Sequence, residues 1–345
     1  MKWWIIFGIL CAITACILPW YYRKNFADTN TVVNSTSTNT GVDTSTNTTK
    51  KTPPKERPKF ETDLHRMAVS NKTGPWGLHF RNFSVYSVKN PKGSMFQRFN
   101  IFDNGKLDDK LFWGFSIYDG YECPYYCDRL EKGFLTILTQ VTKSLWPTEE
   151  SADKKRMQFE EMLEVLGNFT AYCDAALMKM GQSISEICAS SALVGLLHKS
   201  YLIVVQLGDS RAVTEYNGEI ISTDDHRPER EKDRIEGLGG NVIFTKGAWR
   251  VDGTLPFSRG FGAKWMKQMG WVNAVGAIHI YNVKSTPLDY MILGTRGLWD
   301  VVSNEEAVRI VNQSLNKQYF GAKKLVKLAR KQFKDSVTAM VVKLK

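Results

Sequence analysis

Leu293-Gly294-Thr295-Arg296-Gly297-Leu298-Trp299-Asp300 follows the apolar run Tyr290-Met291-Ile292 and reads as a strand ending in a tight turn. A second strand-end turn, Ser116-Ile117-Tyr118-Asp119-Gly120, carries an aspartate. Carboxylates converging from such turns suit a hydrated cation pair, which can activate a water for attack on a phosphate ester. Arg296 instead brings a fixed positive charge to the first turn, so this one residue decides what chemistry the two turns can support.

Further segments extend the pattern. Ala189-Ser190-Ser191-Ala192 enters an apolar strand, and Val204-Val205-Gln206-Leu207-Gly208-Asp209-Ser210-Arg211-Ala212-Val213 is a strand, turn and strand. Then come Asp225-His226-Arg227-Pro228, Arg234-Ile235 with Gly239-Gly240, Arg250-Val251-Asp252-Gly253-Thr254-Leu255, Ser258-Arg259-Gly260-Phe261-Gly262, and a closing Asp335-Ser336-Val337-Thr338-Ala339-Met340-Val341-Val342. In this order, from about Gly74 to Lys345, the chain resembles the metal-dependent PPM (type-2C) Ser/Thr protein phosphatase family, and within it the catalytically inactive members. The resemblance implies an α+β fold: a four-layer αββα sandwich of two antiparallel sheets flanked by helices, with the site at one edge. Fold does not settle activity, which lives in the site.

Residue by residue, the resemblance implies that Asp119 is a metal-bridging aspartate, that Gly120 offers a carbonyl to one ion, and that Asp335 is a late metal ligand. Asp300 and Glu186 fall where the family has carboxylates for a third, weaker ion. Against these, Arg296 replaces a ligating aspartate and Tyr121 stands in place of a histidine proposed as general acid. Ala263 replaces an aspartate. The early arginine and acid pair is missing, its nearest register being Met95-Phe96-Gln97. Exchanging a carboxylate for a guanidinium shifts the local charge by about two units, and at ~4 Å each unit interaction is worth ~4 kcal/mol at an effective dielectric of about 20. Arg296 is therefore expected to fill the vacated space and pair with Asp119 or Asp335. No cofactor is expected; an active enzyme would need Mn²⁺ or Mg²⁺.

The other polar candidates read as structural: Asp209 and Arg211 as a turn between strands, His226 as a loop residue, Arg250 and Arg259 as braces for loops over the site. Tyr121, with an ordinary pKa of about 10, cannot act as an acid near neutrality, although its hydroxyl can donate to an anion.

The 345 residues carry a formal charge of +11, which favours acidic partners or membrane surfaces, and nothing indicates nucleic-acid reading. Residues 1–24 contain a charge-free stretch, Trp3 to Trp20, near the length that spans a bilayer, and are expected to be an uncleaved single-pass anchor. Residues 25–73, rich in Thr, Asn and Ser and then in Pro and Lys, are expected to be a disordered linker. Residues 74–345 form the phosphatase-like domain. Of six cysteines, Cys123, Cys127, Cys173 and Cys188 lie in that domain and are expected to be reduced thiols, a disulfide requiring an oxidising compartment. The family resemblance favours a cytosolic domain. Sequons at Asn34, Asn47, Asn71, Asn82, Asn168 and Asn312 point the other way and matter only if the chain is lumenal.

Strands are predicted at Leu111–Tyr118, Ala192–Leu197, Leu202–Leu207, Ala212–Tyr216, Tyr290–Leu293 and Val337–Leu344. Helices are predicted at Tyr125–Thr142, Glu149–Met180, Glu229–Leu238, Asn304–Leu315 and Ala322–Gln332. The leading expectation is a membrane-anchored pseudophosphatase that binds a kinase or phosphoprotein. The alternatives are a divergent Mn²⁺/Mg²⁺-dependent Ser/Thr phosphatase and a secretory-pathway glycoprotein in which the domain is a structural module.

Overall fold

Alternation of apolar residues along paired strands turns one face of each sheet toward a shared interior. In the computed structural model, which describes residues 64–66, 76–90, 96–104, 112–146, 151–333 and 335–344, this alternation builds a sandwich. The chain lays down β1 (Leu64–Arg66), β2 (Trp76–Phe80), β3 (Phe83–Val88), β4 (Gln97–Asn104) and β5 (Phe112–Tyr121), then the long helices α1 (Tyr125–Leu145) and α2 (Ala152–Met180). Next come β6 (Ala189–His198), β7 (Tyr201–Leu207), β8 (Arg211–Tyr216), β9 (Glu219–Ser222), the short helix α3 (Lys232–Gly237), the hairpin β10 (Val242–Thr245) and β11 (Ala248–Val251), and β12 (Phe261–Gly262). It closes with α4 (Lys264–Gln268), β13 (Ala277–Asn282), β14 (Tyr290–Gly294), α5 (Arg296–Trp299), α6 (Asn304–Asn312), α7 (Ala322–Gln332) and β15 (Val337–Lys343).

One sheet has the order β1-β4-β5-β6-β7-β13, with β12 also on β6; the other runs β2-β3-β15-β14-β8-β9. Phe99 and Ile101, Phe115 and Ile117, Leu202 and Val204 from the first sheet meet Phe83 and Val85, Met291 and Leu293, Met340 and Val342 from the second. Each pair is spaced i, i+2, as a half-buried strand requires. One residue out of phase, Ile292, Ala339 and Val341 face outward onto Leu298, Val311, Leu325 and Val326 of α5, α6 and α7. Helix α1 covers the outer face of β4, β5 and β6, and α2 packs on α1. The result is the four-layer αββα order.

The predicted helix at 322–332 forms over those residues, while Glu229–Leu238 divides into a short 3₁₀ turn, Pro228–Glu231, and α3. Strand β4 was not predicted because its polar residues hide a strand. Asn100 Nδ2 donates to the Glu131 carbonyl at 2.9 Å and Arg98 pairs with Asp128 at 2.8 Å, so both are consumed by contacts to α1. Strand β1 pairs Leu64 with Phe102, so the compact unit starts ahead of Gly74, at Leu64. The expected anchor and the linker upstream of β1 lie outside the described residues. Among the described residues no helix is long and apolar enough to cross a membrane.

The cysteine expectation is corrected. Cys123 and Cys188 form a disulfide with a Cα–Cα separation of 5.4 Å, while Cys127 and Cys173 are free and buried. The β5–β6 ladder aligns Tyr121 with Ala189, which brings the flanking cysteines together.

Packing between neighbouring strands is close at Gly195, where a Cβ would stand 2.2 Å from the Phe115 ring. Gly195→Ala is expected to cost about 1–3 kcal/mol by overpacking, read as a lower urea midpoint with an unchanged m-value.

Candidate active site

At one edge of the sandwich the strand ends of both sheets surround a cleft of about 430 Å³. Asp119, Gly120 and Tyr121 enter from the end of β5, Asp209 from the β7–β8 turn, Arg296 and Gly297 from the start of α5, and Asp335 and Ser336 from the approach to β15. Gln97, at the start of β4, lies beside Asp119 in register. Lys246 and Arg250 reach in from the β10–β11 hairpin.

Gln97 ties the two sheets together. Its Nε2 donates to Thr295 Oγ1 at 3.2 Å and to the Ser336 carbonyl at 3.0 Å, and its Oε1 accepts from Thr338 Oγ1 at 2.7 Å. A buried site that demands both a donor and an acceptor selects an amide, since an ionised carboxylate only accepts. The missing acid of the resemblance is thus replaced by a side chain with a different job.

Arg296 is corrected in its partners. Its Nε donates to Asp300 Oδ2 at 2.9 Å and lies 3.9 Å from Asp209 Oδ2; no ion pair to Asp119 or Asp335 forms. As first residue of α5, Arg296 reaches Asp300 across one helical turn. Asp300 also accepts from Arg227 Nη2 at 3.0 Å, and Arg227 Nε donates to Asp225 at 2.9 Å. Arg211 completes the row with two bonds to Asp225, at 2.9 and 2.6 Å. Asp209, Arg296, Asp300, Arg227, Asp225 and Arg211 therefore alternate in sign.

The electrostatics follow from this row. Burial opposes charge on Asp225, but the guanidinium forks of Arg211 and Arg227 outweigh it and hold its carboxyl below the usual range. Asp209 sits at the end of the row with Oδ2 buried and without a hydrogen bond, and burial pushes it up to about 7 against the pull of Arg296 and Arg227. Asp119 is pushed up to about 8, by burial first and then by Asp209 and Asp335, with Gln97 and Arg296 opposing.

The remaining candidates divide. Asp335 is exposed on the rim; its Oδ1 accepts from Ser336 N at 2.7 Å and from Asn90 Nδ2 at 3.3 Å. Gly120 is required by space, as a Cβ would stand 2.9 Å from Phe96 Cβ and from Cys127 Sγ. Glu186 does not join the cleft: half-exposed, it pairs with Lys264 at 2.9 Å. The Tyr121 hydroxyl donates to the Thr254 carbonyl at 2.9 Å, so it is spent on the loop after β11 and not on an anion. Arg250 Nη1 donates to the same carbonyl at 2.7 Å, as a brace would. Arg259 pairs with Glu231 at 2.7 Å. His226 Nδ1 accepts from Gly208 N at 3.0 Å; burial first, then Arg259, pull its imidazole down to about 4, and it stays structural and neutral. Ala263 is buried in the left-handed region at φ 51°. Sequence reasoning missed Asp209 and Gln97. The one looked like an ordinary turn, and the other carries no charge.

Hard divalent ions require several oxygen ligands, six in near-octahedral order for Mg²⁺. Here Asp300 is committed to two arginines, Gln97 faces other partners, and the Arg296 cation stands beside Asp209. Among the described residues no group of three His, Cys, Asp or Glu side chains is placed to share an ion. The donor set does not fit a pair of Mn²⁺ or Mg²⁺ ions.

A two-sheet sandwich whose strand-end aspartates face an edge cleft is the architecture of the metal-dependent phosphatases. The protein phosphatase 2C family model matches residues 115–337, and the chain belongs to that family. Among its relatives, "Probable protein phosphatase 2C 59" of Oryza sativa subsp. japonica is 39% identical over 173 residues, 49% of this chain and 52% of that protein. Protein phosphatase 1L of Bos taurus is 36% identical over 174 residues, 49% of this chain and 48% of that protein. The chain thus spans about half the length of these curated relatives. In fold it is similar to serine-threonine phosphatase 2C of Toxoplasma gondii, with a TM-score of 0.63 at 23% identity, covering 82% of this chain and 99% of the other. It is also similar to a sex determining protein of C. elegans, with a TM-score of 0.59 at 19% identity, covering 78% of this chain and 65% of that one.

Removing the cation at the centre of the row leaves Asp209 and half of Asp300 uncompensated. Arg296→Met is expected to destabilise the fold by about 1–3 kcal/mol in urea unfolding. The raised carboxyls set a pH dependence. Unfolded carboxyls ionise near pH ~4, whereas the folded Asp119 and Asp209 hold their protons to about 8 and about 7. The folded state therefore binds more protons between these limits, so stability is greatest below this window and falls as pH rises through it. In EDTA, unfolding free energy is expected to drop by several kcal/mol from about pH 5 to about pH 8.5, and Asp119→Asn should flatten that slope.

Proposed function

We propose that this protein is a phosphatase-fold binding module, a pseudophosphatase that engages a phosphorylated protein or its kinase without hydrolysing phosphate. The observation that carries this reading is the Arg296 guanidinium, held between Asp300 and Asp209 on the wall of the cleft. Arginine cannot lose its proton to make way for a metal ion. What remains is a cleft where Lys246, Arg250 and Arg296 stand among Asp119, Asp209 and Asp335, a surface of mixed sign suited to recognising a phosphorylated segment. The rim adds exposed aromatic area. Phe244 and Trp249 stack edge to face on the β10–β11 hairpin at 5.5 Å, beside exposed Ile243. Exposed aromatic clusters of this kind favour protein contacts.

A second reading, a divergent Mn²⁺- or Mg²⁺-dependent Ser/Thr phosphatase, draws on the family membership, on relatives named as phosphatases, and on the retained Asp119 and Asp335. The two separate on hydrolysis of p-nitrophenyl phosphate by the full chain, with and without Mn²⁺, beside Asp119→Ala. The binding-module reading expects no Mn²⁺-dependent rate above that of the variant. Turnover that requires Mn²⁺ and vanishes in Asp119→Ala would establish the enzyme.

A further inference from the structure

The disulfide and two surface asparagines carry an inference about where this domain matures and how it is modified. Cys123 follows the end of β5 and Cys188 immediately precedes β6. These two strands are paired along their whole length, with Tyr121 opposite Ala189, so the ladder itself presents the two sulfurs to each other. A bridge of this kind closes and persists in an oxidising compartment and is kept open where glutathione and thioredoxin act. Among the described residues, the free thiols Cys127 and Cys173 are both buried and not presented for exchange.

An independent observation points to the same compartment. Asn168 heads the sequence Asn168-Phe169-Thr170 on α2, and its neighbours from Val165 to Gly167 and from Phe169 to Thr170 are all buried, leaving Asn168 as the outward residue of that turn. Asn312 heads Asn312-Gln313-Ser314 at the end of α6 and is also exposed; its Nδ2 donates to Glu215 Oε2 at 2.7 Å on the surface, a bond that a glycan on this nitrogen would replace. Both match the acceptor pattern for N-glycans. A bulky, solvated sugar is accommodated only on a side chain that points to water. Neither asparagine lines the edge cleft, so a glycan on either leaves that cleft open. The hydroxyl partners, Thr170 and Ser314, are buried; Thr170 donates to the Gly167 carbonyl at 2.8 Å and also bonds the Ala274 carbonyl at 2.5 Å. A transferase that must engage the hydroxyl residue therefore reaches these sequons only before α2 and α6 pack, as in a chain modified while it enters a lumen. A third described sequon, at Asn82, lies half-buried in the β2–β3 turn and is left aside.

We infer that the phosphatase-like domain folds in the lumen of the secretory pathway or beyond it, with Cys123 and Cys188 joined and with N-glycans on Asn168 and Asn312. A phosphorylated partner would then share that compartment.

The test uses the full 345-residue chain, made in animal cells and digested with peptide-N-glycosidase after free thiols have been blocked. Peptide mass mapping is expected to find deamidation at both Asn168 and Asn312, and a Cys123–Cys188 linked peptide that separates only on reduction. In intact mass, Asn168→Gln and Asn312→Gln should each remove one glycan and the double variant both. Unmodified Asn168 and Asn312 overturn the inference, and so do blocked thiols at Cys123 and Cys188 or a glycan shift unchanged in the double variant. The mapping is done on the unsubstituted chain, so a variant that fails to fold does not remove the test.

Discussion

A guanidinium between two carboxylates organises the edge of this sandwich. Arg296 joins Asp209 to Asp300, and through Arg227 and Asp225 the alternation reaches Arg211. Asp225, fully buried, and Asp300, partly buried, each touch two arginines, which is the condition under which buried ions repay their desolvation. The row holds the β7–β8 turn, the start of α5 and the loop before the 3₁₀ turn in place with charges the chain itself supplies. In a metal-dependent site, ions would provide that cohesion.

Gln97 plays the same part between the sheets. Its amide takes one bond from Thr338 and gives two, to Thr295 and the Ser336 carbonyl, so the ends of β4, β14 and β15 converge without a carboxylate. Tyr121 and Arg250 meet at the Thr254 carbonyl and fix the base of the β10–β11 hairpin. Gln97, Tyr121 and Arg250 are engaged in scaffold contacts at the cleft, while the hairpin keeps Phe244 and Trp249 exposed. Membership of the family fixes this fold, while the chemistry depends on how the cleft residues are engaged.

The disulfide sits close to the same place. Cys123 lies just beyond the Asp119–Tyr121 turn, and Cys188 leads into the strand paired with it, so the covalent link reinforces the corner from which Asp119 projects. The loop it closes, a sequence separation of 65, carries both long helices, and its ends are the part of the first sheet that faces the cleft.

Much of the fold was legible in the sequence. The apolar runs that became β6, β7, β14 and β15 and the periodic face of α7 announce themselves, because a strand buried on both faces or a helix packed on one side leaves a pattern over consecutive residues. Strand β4 did not, because its Arg98 and Asn100 satisfy partners on α1 that are distant in sequence. At the site, Asp119, Gly120, Asp335 and the anomaly of Arg296 were visible as single letters in a pattern. Their partners were not. That Arg296 chooses Asp209 and Asp300, that Glu186 leaves for Lys264, and that Cys123 meets Cys188 are matters of which backbones are adjacent. The sequence by itself determined the charge inventory and the order of the elements, because these belong to the chain residue by residue. Only the tertiary structure decided the pairing, because a Coulomb interaction or a covalent bridge depends on distances of a few Å that the crossings between strands create.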